Sequence, residues 1–330
     1  MTRRSVHSAP TPWIGVETGV KTMIGGGGTR RVTAALAALA ASAAAVAGCS
    51  QGWVPSATAT GHHRYVALGD SWVSGPLIHN QVGTPIDCGR SDRNWPTLVA
   101  KALDVASFTD ASCGGADIDA LTEPFEANLG GIAPPQFDSL RPDTTLVTIG
   151  IGGNDADLNG SAIDCVNLLP VPLGPPPFGR PCVEGFTEGG VDRIAAKIAA
   201  TRPRLAAAFD EIHRRSPNAR VFATGYGSPL GVSGDGCWPT APMLAVDVHY
   251  IRARLAEFDQ AIAEVAAAHD VTYVSLDAAT TGHDICRPSG VAWFNAVSFD
   301  PPGFPGHPNE LFHAGVAPTI AASIVAAAGK

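Results

Sequence analysis

The sequence predicts an α/β protein, a three-layer α/β/α sandwich built around a five-stranded parallel sheet. Two observations predict this fold class. Five short apolar runs, each bounded by Gly, Asp, Asn or Pro, have the length and composition of buried strands. Segments with apolar residues at helical spacing lie between several of these runs. Because strands that alternate with helices form parallel sheets, we expect helices on both faces of this sheet.

The predicted elements follow in chain order. The predicted strands are 65–68, 105–108, 146–149, 221–223 and 271–276. The predicted helices are 95–103, 191–215, 243–269 and 310–328. The longest segment between elements, 159–188, is rich in Pro and Gly and is predicted to be a loop.

The first 48 residues have the features of a bacterial export signal. Arg30 and Arg31 precede an uncharged, Ala-rich stretch at 32–48 that ends in Val-Ala-Gly before Cys49. A basic region, a short apolar region and small residues before a cut site are typical of a signal peptide. The last four of these residues resemble a lipobox, in which the Cys is lipidated and becomes the first mature residue. The alternative is an ordinary secretory signal in which Cys49 has no special role. Separately, Met23 could be the true start of the protein.

We therefore expect three parts: an N-terminal extension with a signal peptide (1–48), a flexible tether (49–61) and one folded domain (62–330). A lipid on Cys49 would anchor the protein to the outer face of the cell membrane without a spanning helix. Free secretion is the alternative.

Charge and cysteine content exclude further classes of protein. Acidic residues outnumber Lys and Arg by 30 to 22, whereas nucleic-acid binding requires an excess of positive charge. Apart from Cys49 the chain has six cysteines, and an even number in an exported protein suggests disulfides. Because no C-x-x-C pair occurs, we expect no metal site. The six are Cys88, Cys113, Cys165, Cys182, Cys237 and Cys286.

Polar groups follow the predicted strands at the edge of the sheet where functional groups collect. Gly-Asp-Ser at 69–71 follows the first strand, where a tight turn would present the Ser71 hydroxyl. Gly115 follows the second strand, and the glycine-rich segment 150–155, with the amide of Asn154, follows the third. Three loops rich in N–H donors suggest an oxyanion hole, and ordinary left-handed turns are the alternative.

His-Pro-Asn at 307–309 precedes the last predicted helix. From there His307 could reach back to Ser71 as its general base. His313, inside the same predicted helix, is the competing candidate. The sequence has no G-x-S-x-G motif, and no dinucleotide-binding G-x-G-x-x-G follows the first strand.

These motifs, in this order, resemble those of the SGNH or GDSL-type hydrolases, in particular secreted actinobacterial esterases and lipases. The resemblance covers the whole mature chain and implies the flavodoxin-like fold of that family. It implies that Ser71 is the nucleophile and His307 the base. The oxyanion hole would consist of the Ser71 and Gly115 N–H groups and the Asn154 side chain. The resemblance also implies three disulfides between neighbouring cysteines: Cys88–Cys113, Cys165–Cys182 and Cys237–Cys286.

One position departs from the family pattern. The family usually has Asp three residues before the His, and here that residue is Phe304. Either a backbone carbonyl near Phe304 orients the imidazole of His307, or Asp300 reaches it. We favour the carbonyl, and hence a Ser-His dyad, because a neutral acceptor can also fix the useful tautomer.

We therefore expect a serine esterase or lipase that acts on a lipid ester or an acylated small molecule or glycan. It would need no cofactor, would bind no nucleic acid and would work as a monomer. A carbohydrate deacetylase of the same fold is the first alternative, because one fold can host many acyl chemistries. A non-catalytic lipoprotein that binds glycan or lipid is the second, and the presence of Ser71, Asn154 and His307 argues against it.

Overall fold

The computed structural model describes residues 63–169, 174 and 177–328. The predicted signal peptide, Cys49 and the tether lie outside the described residues. All of the proposed active-site residues lie within them.

A five-stranded parallel sheet forms the centre of the described part, as predicted. Its strands have the spatial order β2-β1-β3-β4-β5. Their bounds are β1 (Arg64–Gly69), β2 (Ser107–Asp110), β3 (Leu146–Gly150), β4 (Arg220–Thr224) and β5 (Thr272–Val274). Two short antiparallel pairs lie outside this sheet, Gln81–Val82 with Arg90–Ser91 and Phe125–Glu126 with Ile132–Ala133.

The described helices range from single turns to long helices that cover the sheet. They are α1 (Ser71–Ser74), α2 (Trp95–Ala102), α3 (Leu158–Asp164), α4 (Cys182–Phe186), α5 (Arg193–Arg215), α6 (Ala245–Ala268), α7 (Asp277–Thr280) and α8 (Glu310–Ala328). Short 3-10 helices occur at Ile86–Cys88, Asp119–Leu121, Gln136–Ser139 and Glu188–Gly190.

Apolar side chains cover both faces of the sheet, which confirms the three-layer sandwich. Because alternate residues of a strand point to opposite faces, Val66 and Leu68 of β1 pack with α5 and α6. Tyr65 and Ala67 pack on the other face with α2 and α8. α8 is long and apolar enough to span a membrane by length and composition. Its buried side chains lie in the core on the sheet, so we assign it to the folded domain.

Two details of the prediction are corrected by the structure. The segment 159–188 is not wholly a loop, because it contains most of α3 and all of α4. Helices of seven and five residues are too short to show a clear periodic pattern in the sequence. β2 has the length of the predicted strand at 105–108 but begins two residues later, and β5 is shorter than the predicted strand at 271–276.

All three disulfides implied by the family resemblance are present, Cys88–Cys113, Cys165–Cys182 and Cys237–Cys286. The first lies close to the predicted active site, since Cys113 directly precedes the Gly114-Gly115 loop. There the Gly114 N–H donates to the carbonyl of Cys88 at 2.7 Å. This bridge and hydrogen bond fix the loop that carries Gly115 to the segment after α1.

Candidate active site

Ser71 lies at the carboxyl end of β1, where the strand turns directly into α1. Asp70 caps this helix by accepting a hydrogen bond from the Trp72 N–H at 2.9 Å. Gly69 has a φ of +153°, and a Cβ there would lie 2.5 Å from the carbonyl oxygen of Gly150. Only glycine fits so close to the neighbouring strand, which explains the first residue of the Gly-Asp-Ser turn.

His307 meets Ser71 at this edge of the sheet, as the sequence predicts. The Nε2 atom of His307 lies 3.0 Å from the Oγ of Ser71, and its Nδ1 atom lies 3.0 Å from the carbonyl oxygen of Pro305. A carbonyl oxygen can only accept, so the proton resides on Nδ1. Nε2 is then free to accept the proton of the Ser71 hydroxyl, which is the tautomer that a general base requires.

The surroundings of His307 keep its imidazole neutral. Burial lowers the pKa of His307, and the hydrogen bond to Pro305 offsets this effect in part. The rings of Trp72 and Phe304 lie 5.1 and 5.2 Å from the imidazole, measured between ring centroids. A neutral imidazole beside a serine hydroxyl can take up a proton when the hydroxyl attacks.

A backbone carbonyl near Phe304 does contact the imidazole of His307, as expected, and it is the carbonyl of Pro305. The Phe304 carbonyl accepts the backbone N–H of His307 at 3.2 Å, and the Nδ1 acceptor is the next carbonyl, that of Pro305. The carboxylate of Asp300 accepts a hydrogen bond from the Ser289 hydroxyl at 3.3 Å. The arrangement is a Ser-His pair oriented by a backbone carbonyl, because the turn before His307 directs the Pro305 carbonyl at the ring.

The predicted oxyanion donors lie on adjacent loops. Asn154 donates from Nδ2 to the carbonyl of Ala116 at 2.7 Å, which ties the β3 loop to the β2 loop. An amide nitrogen carries two hydrogens, so one remains for a ligand. Within residues 63–169 and 177–328, the backbone N–H groups of Ser71 and Gly115 have no hydrogen-bond acceptor. Ser71 and Asn154 also line one cavity. These donors can stabilise negative charge beside Ser71.

His313, the competing histidine, belongs to the core. It is fully buried in α8, and its Nδ1 atom accepts the Trp95 N–H at 3.0 Å. Burial lowers the pKa of His313 to about 3, so the ring stays neutral. It anchors the first turn of α2 to α8 and does not line the cavity at Ser71.

The sequence analysis missed one residue at the site, Tyr226, and it named a second, Asp155, only within the segment 150–155 and without a role. The hydroxyl of Tyr226, which follows β4, lies 2.5 Å from a carboxylate oxygen of Asp70 and 2.9 Å from the Gly153 nitrogen. Asp155 accepts the Ile118 N–H at 3.0 Å and forms an ion pair with Arg204. The signal for Tyr226 was available, since a Gly-Tyr-Gly segment at 225–227 follows a predicted strand on the functional edge of the sheet.

A cavity of about 330 Å³ opens at Ser71. Its polar lining groups include Ser71 and Asn154. Most of the remaining wall is apolar and includes Leu158, Ile163, Val166, Met243, Ile251 and Leu255. A largely apolar cleft with a few convergent polar groups is typical of a small-molecule site. This one can accommodate an apolar chain with its polar end at Ser71.

Comparisons with known proteins agree with this geometry. Residues 67–314 match the model of the GDSL-like lipase/acylhydrolase family. Lipase 2 of Streptomyces coelicolor is 35% identical over 256 residues, which cover 77% of this chain and 83% of the relative. A lipase of Streptomyces rimosus is 28% identical over 235 residues, covering 71% of this chain and 76% of the relative.

Solved structures of such enzymes have the same fold. The phospholipase A1 of Streptomyces albidoflavus superimposes with a TM-score of 0.62 at 26% identity, covering 80% of this chain and 98% of that chain. The extracellular lipase of Streptomyces rimosus gives a TM-score of 0.59 at 25% identity, covering 80% and 99%. The matched region contains every motif that carried the resemblance to SGNH hydrolases. The chain therefore belongs to the GDSL-like lipase/acylhydrolase family and is a carboxylic ester hydrolase.

Proposed function

We propose that this protein is a serine esterase or lipase that cleaves esters with an apolar acyl chain through a covalent Ser71 intermediate. The observation that carries this proposal is the 3.0 Å contact between the Nε2 of His307 and the Oγ of Ser71 at the mouth of an apolar cavity. Nucleophile and base are within hydrogen-bond reach, and the base has the tautomer that accepts a proton.

The proposed reaction has two steps. The Oγ of Ser71 attacks the ester carbonyl carbon while His307 takes the hydroxyl proton on Nε2. The negative charge that develops on the carbonyl oxygen is stabilised by the Ser71 and Gly115 N–H groups and the Asn154 amide. His307 then gives its proton to the leaving alcohol. In the second step His307 takes a proton from a water molecule whose oxygen attacks the acyl carbon, and it returns that proton to the Oγ of Ser71 as the bond from Oγ to the acyl carbon breaks.

The Pro305 carbonyl has a defined part in this mechanism. It accepts the Nδ1 proton at 3.0 Å, so the imidazole keeps one tautomer and one orientation through both steps. A neutral carbonyl stabilises the imidazolium less than a carboxylate would.

The cavity supports a substrate with an acyl chain longer than acetyl. Ser71 lines a space whose wall is mostly apolar, and burying such a chain there is favourable by about 0.8 kcal/mol per methylene. The names of two similar proteins, a lipase and a phospholipase A1, also support a lipid ester as the substrate of this protein. Acetyl removal from glycans would use little of this surface.

A panel of p-nitrophenyl esters tests the proposed function. We expect kcat/KM to rise from the acetate through the butyrate to the octanoate, by about tenfold or more overall, because burying each added methylene is favourable by about 0.8 kcal/mol, or about 4-fold. The same preparation is assayed for acetate release from acetylated xylan. Activity confined to acetyl esters, or faster release from the xylan, would favour the deacetylase. No turnover of any ester would favour the non-catalytic lipoprotein.

We also propose that the enzyme is exported, works as a monomer and is anchored through a lipid on Cys49. The extracellular lipase of Streptomyces rimosus and the three disulfides support export, because disulfides persist outside the cytoplasm. Residues 49–61 would be the tether between the lipid and the domain that begins at residue 62. One chain supplies every group proposed for the site, which supports a monomer.

Replacing the lipidation residue tests the anchor. When the full chain is expressed in an actinobacterial host, we expect Cys49→Ala to move the enzyme from the membrane fraction to the medium. Ser50→Ala is the matched control and should remain with the membrane. Intact-mass analysis of the membrane-bound wild type should show an acylated N-terminus at Cys49. Wild-type protein secreted without lipid would contradict the anchor and indicate an ordinary signal peptide.

A further inference from the structure

We propose that Tyr226 is a positioning residue of this active site, which fixes the nucleophile, the oxyanion donor and the base relative to one another. The inference rests on the function proposed above, since it assigns a role within that machinery. Tyr226 lies two residues beyond the end of β4, and its side chain is 4% exposed. Its hydroxyl contacts Asp70 and Gly153, and its carbonyl and ring contact Trp72.

The hydroxyl of Tyr226 joins the turn before the nucleophile to the loop before the oxyanion donor. It donates to the Oδ2 of Asp70 at 2.5 Å and accepts from the Gly153 N–H at 2.9 Å. Asp70 directly precedes Ser71, and Gly153 directly precedes Asn154. A hydroxyl both donates and accepts, so this one atom can satisfy a carboxylate and an amide, whereas phenylalanine at this position would satisfy neither.

The backbone carbonyl and the ring of Tyr226 contact the residue that packs on the base. The Trp72 indole N–H donates to the Tyr226 carbonyl at 3.0 Å, and the two rings lie 5.4 Å apart. The indole ring also lies 5.1 Å from the His307 imidazole, measured between ring centroids. Tyr226 therefore fixes the indole against which the imidazole rests.

Tyr226 is itself held by the core, so it can impose its position on its neighbours. Its backbone N–H donates to the Oδ1 of Asp259 at 2.9 Å, and its ring lies 5.5 Å from that of Phe258. Asp259 and Phe258 are both buried residues of α6. A residue anchored in a long core helix is a rigid support for the loops at the sheet edge.

The chemistry of the buried pair keeps the hydroxyl in its donating form. Burial and the neighbouring Asp70 carboxylate raise the pKa of Tyr226 well above that of an ordinary phenol. The phenol therefore stays protonated, and it donates to Asp70 when that carboxyl group, whose own pKa burial raises to about 7, is ionised. Loss of the hydroxyl would leave both the Asp70 oxygen and the Gly153 N–H without this partner in a dry site, and both loops would have to shift to find another.

Tyr226→Phe tests this role, with Tyr65→Phe as the matched control. The Tyr65 hydroxyl is also buried and also shares a hydrogen bond, with the Thr148 hydroxyl at 2.7 Å, and Tyr65 does not line the cavity at Ser71. With p-nitrophenyl butyrate we expect Tyr226→Phe to lower kcat by roughly 10- to 100-fold and to change KM by less than about 3-fold, because small displacements of reacting groups cost rate rather than binding. Tyr65→Phe should keep kcat within about 3-fold of wild type. It should lower Tm by about as much as Tyr226→Phe does.

A double-variant cycle with Asp70→Asn adds a second test. If Tyr226 and Asp70 act through one hydrogen bond, the double variant should lose no more than about 3-fold in kcat beyond the worse single variant. If the Tyr226→Phe protein shows no cooperative melting transition, the kcat and KM of Asp70→Asn alone test the inference. A reduced kcat with unchanged KM supports the inference, and a wild-type kcat overturns it.

A Tyr226→Phe enzyme with wild-type kcat, or with the same loss as Tyr65→Phe, would also overturn the inference. In that case, ester turnover by the wild-type protein would still support the proposed ester hydrolysis. A wild-type protein without turnover would instead reject the proposed function itself, so the two failures are distinguishable.

Discussion

Ser71→Ala is expected to lower kcat/KM for p-nitrophenyl butyrate by about 10³-fold or more. The Oγ of Ser71 is the atom that lies 3.0 Å from the Nε2 of His307, and it is the nucleophile in the first step of the proposed reaction. Alanine suits the first turn of α1, so the fold should survive. Thermal unfolding should show a Tm within a few degrees of wild type.

A neighbouring serine provides the control. Ser74 lies in the same short helix, is buried, and its hydroxyl has no hydrogen-bond partner among the described residues. Ser74→Ala should therefore leave kcat/KM within a few-fold of wild type. Near-wild-type turnover by Ser71→Ala with an unchanged melting curve would show that Ser71 is not the nucleophile.

His307→Ala is expected to lower kcat/KM nearly as far as Ser71→Ala, because residues that act as one unit are not additive. The matched control is His313→Ala, which removes an equally buried imidazole. His313→Ala should lower the free energy of unfolding by about 1–3 kcal/mol, since the Trp95 N–H loses its acceptor. Its kcat per folded molecule should stay within a few-fold of wild type. The reverse pattern would place the base at His313.

The pH dependence of kcat/KM tests whether neutral His307 is the base. Protonated His307 cannot accept the serine proton, so kcat/KM should fall as pH drops through the pKa of His307. Because burial lowers that pKa, the midpoint should lie below the ordinary value for histidine.

Asp300→Asn should change kcat/KM only a few-fold if the Pro305 carbonyl is the orienter. A loss near 10⁴-fold, roughly that of a missing triad Asp, would assign the role to Asp300.

The sheet and most of the candidate site could be predicted because their signals are local. β1 and β3 are apolar runs that end in glycine, and the register pairs Gly69 with Gly150 so that the two strand ends lie level. Polar residues that follow such strands must meet at one edge of a parallel sheet. That rule brought Ser71, Gly115 and Asn154 together without any knowledge of side-chain contacts.

The features that the sequence did not reveal depend on tertiary geometry. Which carbonyl faces the Nδ1 of His307 depends on the backbone turn between Phe304 and His307, and a shift of one residue selects Pro305. Tyr226 is a common aromatic residue after a strand, and only the position of β4 beside β3 brings its hydroxyl to Gly153. The helix α4 is too short to leave a periodic pattern and lies next to a disulfide.

Covalent labelling of the nucleophile tests the central claim most directly. An alkyl fluorophosphonate reacts with an activated serine oxygen, forming a P–O bond and releasing fluoride. The account predicts one equivalent of label per wild-type molecule, located by peptide mass spectrometry on Ser71, with loss of activity in proportion to labelling. Ser71→Ala should remain unlabelled under the same conditions. Label on another residue, or full activity retained after Ser71 is modified, would contradict the assignment of Ser71 as the nucleophile.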